Sequence, residues 1–188
     1  MADKRAARAR RIQIMDAEEI ERTIGRMAAE IVEANGSELL LVGIHTRGIP
    51  LARRLAERIS AKTGADVPVG MLDITLYRDD WTRIDHKPLV GKTELPGSID
   101  DQEVLLVDDV LFTGRTIRAA LDALMDYGRP SRIELAVLVD RGGRELPIRP
   151  DFVGLILNLP AAQRVNVYLT EMGKPDEVAI EAGPPERA

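Results

Sequence analysis

Two aspartates, Asp108 and Asp109, follow the apolar run Val104-Leu105-Leu106-Val107 and lead into Val110-Leu111-Phe112-Thr113-Gly114-Arg115-Thr116. Adjacent carboxylates at the end of such a run can hold vicinal hydroxyls of a sugar or a Mg ion. They would repel a phosphate placed directly against them. The residues that follow suit that phosphate. A helix beginning near Gly114 leaves unsatisfied N–H groups and a partial positive charge at its start. Gly114 lets the backbone approach an anion, and Thr113 and Thr116 add hydroxyl donors. A second turn, Ile44-His45-Thr46-Arg47-Gly48, offers backbone amides and the Arg47 guanidinium to another anionic group. His45 has no evident partner in the sequence and reads as a packed or surface histidine, not a catalyst.

Alternating strands and helices must position these residues. Ile20, Ile24, Met27 and Ile31 recur at helical spacing over residues 16–35, with Asp16 and Glu19 in a capping-box arrangement and Asn35-Gly36 as the stop. Leu39 to Ile44 is a continuous apolar run, the signature of a strand buried on both faces. A helix over 49–63, a strand within 67–77 and a strand at 104–107 are predicted next. After them come a helix from about Gly114 to Tyr127 and strands at 133–139, 152–157 and 165–169. Such alternation implies an α/β, doubly wound, mostly parallel sheet, whose ligands bind at the carboxyl ends of the strands. Residues 78–102 are rich in charge and poor in periodicity, as a functional loop or hairpin excursion would be. Trp81 lies there, either as a hydrophobic latch or as a surface residue.

The chain has 188 residues, 45% of them hydrophobic and 30% charged, which suits one domain with a full core over residues 16–180. Aromatics make up only 3%, so the core must be aliphatic. The absence of cysteine excludes disulfides and thiolate metal sites. No apolar run approaches the roughly 20 residues of a membrane span, and the start lacks the apolar stretch of a signal peptide, so a cytoplasmic protein without membrane partners is expected. A net charge of -5 argues against a generally basic surface for nucleic acid, although a local basic patch remains open. The cluster Lys4, Arg5, Arg8, Arg10 and Arg11 makes residues 1–15 a basic N-terminal arm, read as a solvated, disordered tail.

The order strand, Asp-Asp, loop, Thr-Gly-x-Thr, helix resembles the PRPP-binding motif of type I phosphoribosyltransferases. Val42 to Ile49, Asp73 to Asp80, Val107 to Thr116, Gly128 to Ile133 and Leu138 to Arg149 together resemble the PyrR family, over about residues 16 to 170. The resemblance implies transfer of a phosphoribosyl group from PRPP to uracil, giving UMP and diphosphate, with Mg as cofactor. By the same resemblance Asp108 and Asp109 hold the ribose hydroxyls, directly or through Mg. Residues Val110, Leu111, Phe112, Thr113, Gly114, Arg115 and Thr116 wrap the 5′-phosphate, and Thr46, Arg47 and Gly48 take the diphosphate. Residues 78–102 form a flexible flap over the active site, from which Arg78 reaches the diphosphate. Arg141 and the backbone of Val165 border the base. Phe112 stands where purine-salvage relatives often carry an acid, which favours a pyrimidine.

PyrR-like regulators bind a stem-loop of pyrimidine-operon mRNA when UMP or UTP is present. The resemblance places that interface at the first helix, with Arg22 and Arg26, and at Arg144 and Arg149. It also implies a homo-oligomer. This chain departs from the family pattern at Gly25, Ala29 and Gly143, where RNA-binding members place hydrogen-bonding side chains, and in the loop after Asn158-Leu159-Pro160. Three readings follow: a salvage enzyme that also regulates RNA, a nucleotide-sensing regulator with little turnover, and a phosphoribosyltransferase for another base.

Overall fold

The computed structural model describes residues 11–79, 91–160 and 162–182. Strand β1 (Ile12–Met15) leads into helix α1 (Ala17–Asn35), and β2 (Leu40–Ile44) into α2 (Gly48–Thr63). Then come β3 (Val69–Leu72), a 3-10 turn (Thr75–Tyr77), β4 (Glu103–Leu111), α3 (Arg115–Met125) and β5 (Arg132–Asp140). Strands β6 (Phe152–Ile156) and β7 (Gln163–Tyr168), a second 3-10 turn (Thr170–Met172) and β8 (Glu177–Ala182) complete the order.

Five strands form a parallel sheet in the order β3-β2-β4-β5-β6. Burial on both faces explains its composition: every residue of β2 is buried, and so are Val104 to Asp108 of β4. Helices α1 and α2 cover one face with Ile24, Met27, Leu51 and Leu55 against Leu105 and Leu138. Helix α3 covers the other with Ile117, Ala120 and Leu124 against Leu106 and Val137. The helix α1 begins as its sequence dictates. Asp16 accepts from the Glu19 N–H at 2.8 Å, and Glu19 accepts from the Asp16 N–H at 2.9 Å.

Strands β1, β8 and β7 make a separate antiparallel sheet that the sequence reading did not separate from the main one. It packs Met15, Val165, Val167 and Val178 into the same core as α1 and α2. The expected N-terminal arm is therefore shorter than residues 1–15, because Ile12–Met15 pair with β8 and Arg11 forms an ion pair with Glu177. Residues 1–10 lie outside the described residues. So do Trp81 and the central part, 80–90, of the expected flap. The second half of that segment is fixed: Glu94 bridges Met71 in antiparallel fashion, and Ile99 is fully buried beneath α3 and β4.

Candidate active site

The strand order sets the place of the site. From β2 the chain crosses to β3 on one side, then returns past β2 to β4 and continues outward through β5 and β6. The order therefore reverses between β2 and β4, and ligands of open α/β sheets bind at the carboxyl ends flanking such a reversal. Strand β2 stops at Ile44, paired no further along β4 than Gly43 with Val107. Strand β4 runs on to Leu111, paired with β5 alone. Asp108 and Asp109 thus lie within the overhang of β4, where its β2 edge is open, not after the end of the strand.

Both acids are confined. Asp108 is 7% exposed and accepts from the Asp109 N–H at 2.9 Å; Asp109 accepts from the Val110 N–H at 2.9 Å. Burial, then the charge of Asp109, pushes the Asp108 carboxyl well above its ordinary range. Burial also raises Asp109, against the pull of Arg47, whose guanidinium lies 3.4 Å from its carboxylate. One buried and one partly buried acid facing a half-exposed arginine are short of positive charge, and a divalent cation would supply it. No group of three or more acidic, histidine or cysteine side chains that could hold a metal occurs among the described residues. Asp108 and Asp109 are the carboxylates that would hold Mg, an ion that one or two protein carboxylates suffice to bind.

Across the crevice lies the turn 45–48. Its closeness depends on Gly48: a Cβ there would fall 2.2 Å from the Val107 carbonyl oxygen, so any other residue would push α2 off the sheet. The His45–Thr46 peptide is cis, His45 is exposed, and Arg47 stands at the start of α2. The turn brings the Arg47 guanidinium to 3.4 Å from Asp109, with Thr46 exposed and Gly48 buried beside it.

The loop 110–114 is shaped from behind by the segment 141–148. Its carbonyls at Leu111 and Thr113 accept from the N–H groups of Arg141 at 3.0 Å, Glu145 at 2.9 Å and Leu146 at 3.1 Å. With a trans peptide, a carbonyl drawn to one side turns the next N–H to the other. The N–H groups of Phe112 and Gly114 therefore face away from that segment. A cavity of about 180 Å³ lies beside the loop, lined by Arg78, Asp79, Thr113, Arg115 and Thr116. Arg115 is held there by Asp79 at 2.9 Å and Glu145 at 2.6 Å. Asp79 also meets Arg118 at 2.5 Å. These three acid contacts were not legible in the sequence, since Asp79 and Glu145 lie 36 and 30 residues from Arg115.

On the base side, Arg141 is 5% exposed and its guanidinium stacks 3.7 Å from the centre of the Phe112 ring. One of its nitrogens donates to the Pro160 carbonyl at 3.3 Å. Gly143 makes the stack possible, because at its φ of +74° a Cβ would lie 2.5 Å from the Phe112 ring. Val165 lies in β7, at the edge of the small sheet, so half of its strand's backbone groups face away from β8. Its side chain is buried in the core.

The four arginines expected at an RNA interface are placed differently from one another. Arg22 pairs with Glu18 at 2.5 Å; Arg26 pairs with Glu30 at 2.6 Å and donates to the Val153 and Gly154 carbonyls. Arg149 is exposed with no partner among the described residues. Arg144 is turned inward, bonded to Asp140, Phe112 and Ile148. No described helix is long and apolar enough to cross a membrane.

A reversed crevice in a parallel sheet, with an Asp pair followed by a tight loop and a helix start, fits the phosphoribosyltransferase class, and the phosphoribosyl transferase domain model matches residues 11–167. A hypoxanthine phosphoribosyltransferase from Staphylococcus aureus superposes with a TM-score of 0.66 at 21% identity, covering 93% of each chain. A hypoxanthine-guanine phosphoribosyltransferase from Bacillus anthracis gives 0.69 at 15% identity, over 94% of this chain and all of that one. At such identity these neighbours speak for the fold alone. In sequence the chain is 55% identical to the Bifunctional protein PyrR of Deinococcus deserti, over 89% of this chain and 92% of that protein. It is 56% identical to that of Thermus thermophilus, over 89% and 94%. The chain belongs to the PyrR family of phosphoribosyltransferases.

Proposed function

We propose that this chain is a uracil phosphoribosyltransferase, converting uracil and PRPP to UMP and diphosphate, and that it also regulates pyrimidine genes by uridine-nucleotide-dependent binding to an mRNA stem-loop. The crevice between β2 and β4 carries this reading. In support, two carboxylates with raised proton affinity lie in it near the Arg47 turn, and a cavity lined by Thr113, Arg115 and Thr116 lies beside the 110–114 loop.

In this reading Asp108 and Asp109 hold the ribose 2′- and 3′-hydroxyls, and the 110–116 loop holds the 5′-phosphate with Thr113, Arg115 and Thr116. Thr46, Arg47, Gly48 and Arg78 receive the diphosphate. Arg141 and the backbone of Val165 border uracil. The C1′–oxygen bond to diphosphate breaks with both electrons leaving on diphosphate. A uracil ring nitrogen forms the new bond to C1′, and its proton passes to solvent. Asp108 and Asp109 are the residues that would hold Mg, which would supply neutralisation of the leaving group's charge. The protein's own contribution is orientation and fixed cationic and N–H dipoles, so no dedicated base is required.

The regulatory half rests on the relatives' shared description as bifunctional and on the exposed arginines. Arg22, Arg26 and Arg149 offer cationic groups to RNA phosphates and to unpaired loop bases. Gly25 and Ala29 cannot donate side-chain hydrogen bonds, which favours as the second reading a salvage enzyme without an RNA role. The protein is expected to work in the cytoplasm as a homo-oligomer.

The test is UMP formation by the purified protein from uracil, PRPP and Mg, with hypoxanthine, guanine and orotate as competitors. The same sample is assayed for stem-loop binding with and without UMP at fixed salt. Uracil turnover with UMP-dependent RNA binding is expected. Turnover alone selects the salvage reading, and preference for another base overturns the uracil assignment.

A further inference from the structure

We propose that Arg144 is a positioning residue for PRPP, which shapes the phosphate loop from behind. The inference rests on reading residues 110–116 as that loop. The Arg144 side chain is 22% exposed, and its guanidinium reaches across three pieces of chain. It donates to the Phe112 carbonyl at 2.9 Å, to the Ile148 carbonyl at 2.9 Å and to the Asp140 carboxylate at 2.6 Å. A fourth, longer contact goes to the Gly142 carbonyl at 3.5 Å.

The Phe112 carbonyl is the middle one of three. Its neighbours at Leu111 and Thr113 are held by backbone N–H groups of Arg141, Glu145 and Leu146. Backbone donors come with every residue type but proline, so those three bonds survive most substitutions. The middle bond depends on one side chain. Turning the Phe112 carbonyl toward Arg144 turns the Thr113 N–H to the opposite side, the side on which Thr113 lines the anion cavity. Without that bond the 112–113 peptide has no donor behind it and is free to rotate. The loop would then lose the alignment of its central N–H while keeping its overall path.

Arginine is required by the shape of the contact. Two carbonyls and a carboxylate lie around one planar fork, and a lysine ammonium reaches only part of that set. Asp140 fixes the fork in turn, since its other oxygen accepts from the Gly142 N–H at 2.9 Å. This geometry gives Arg144 a task inside the protein, distinct from the RNA contact that the family resemblance implies. Arg149, exposed at the end of the same segment, stays available for that contact.

The test compares wild type with Arg144→Ala, Arg144→Lys and Arg144→Gln. PRPP affinity is measured calorimetrically with Mg and without uracil or RNA, and KM is measured separately for PRPP and for uracil. Thermal unfolding of each variant is followed alongside. The expected result is a loss of PRPP affinity of about tenfold or more in Arg144→Ala, with uracil KM within about twofold of wild type and partial recovery in Arg144→Lys. Should Arg144→Ala fail to fold, the Lys and Gln variants carry the same comparison. PRPP affinity unchanged in all variants, or parallel losses for PRPP and uracil that track thermal stability, would overturn the proposal. Loss confined to RNA affinity would overturn it too. Wild type that binds no PRPP would remove the reading of the loop as well, whereas PRPP-competent wild type with PRPP-competent variants removes only the role of Arg144.

Discussion

Asp108 and Asp109 sit where two negative charges are least welcome, side by side in a buried stretch of β4. Their raised carboxyl ranges state the cost: the folded chain holds these protons more tightly than the unfolded chain does, so ionising the pair opposes folding. The stability associated with these groups is fully present below their unfolded values near pH 4 and is lost as pH rises through the raised native values. A protein keeps such a pair for a ligand that brings positive charge or hydroxyl donors. Asp109→Asn is therefore expected to lower uracil turnover by about 100-fold or more. It is also expected to raise the melting temperature of the ligand-free protein at neutral pH and to flatten its decline with pH. Steady-state kinetics and a pH series of thermal melts read both effects. Wild-type turnover in this variant would remove the assigned role in holding ribose. The pair was legible in sequence because site and chemistry are contiguous, from Val104 to Thr116. The bonds that shape the loop were not, since carbonyl acceptors at Leu111, Phe112 and Thr113 carry no residue signature.

At the scale of elements, periodicity located α1, α2 and α3 and the core strands, because each buries a continuous apolar face or run. Two short strands escaped. Ile12–Met15 alternates only once or twice and adjoins a basic stretch, while Glu177–Ala182 gains its identity from pairing with β1 and β7, a long-range fact. Helix α1 carries an element-level oddity in Gly25, midway along its length. A Cβ at that position would meet nothing within 4 Å. Packing therefore gives no reason for glycine there, and glycine in a helix interior costs about 0.5–1 kcal/mol relative to alanine. Gly25→Ala should stabilise the protein by about that amount in urea titration, with uracil kinetics unchanged. A destabilised Gly25→Ala would mean that the open space is filled in the assembled protein, which would place this face of α1 in an interface.

The whole molecule depends on how the small antiparallel sheet is tied to the large one. Beside the shared apolar core, Arg54 of α2 adds a polar connection. It donates to both oxygens of Glu171 at 2.7 Å, to Asp176 and to the Thr170 hydroxyl, and meets Glu21 of α1 at 3.4 Å. These partners lie 116 to 122 residues away along the chain, apart from Glu21, so nothing in the sequence could announce them. Hydrogen bonding to Asp176 and Glu171 holds the Arg54 guanidinium firmly charged. Glu171 is lowered by its bond to Arg54; Asp176, although burial pulls it upward, is lowered on balance by Arg54 and the Thr170 N–H. Lowered carboxylates contribute stability that is present above their unfolded values, about pH 4, and lost as pH falls through the native ones. Glu171, 41% exposed, counts as a screened surface partner, while Asp176 at 8% is largely enclosed. Arg54→Ala is thus expected to cost about 2 kcal/mol at pH 7, below the 3–5 kcal/mol of a fully buried pair. The difference from wild type should shrink as the pH is lowered from 7 to about 3, below the acids' unfolded values, and vanish only below their lowered native ones, where both are protonated with or without the arginine. Urea titrations at the two pH values measure it directly. An equal cost at both would assign the effect of Arg54 to the packing of its aliphatic stem between α2 and the 170–176 segment.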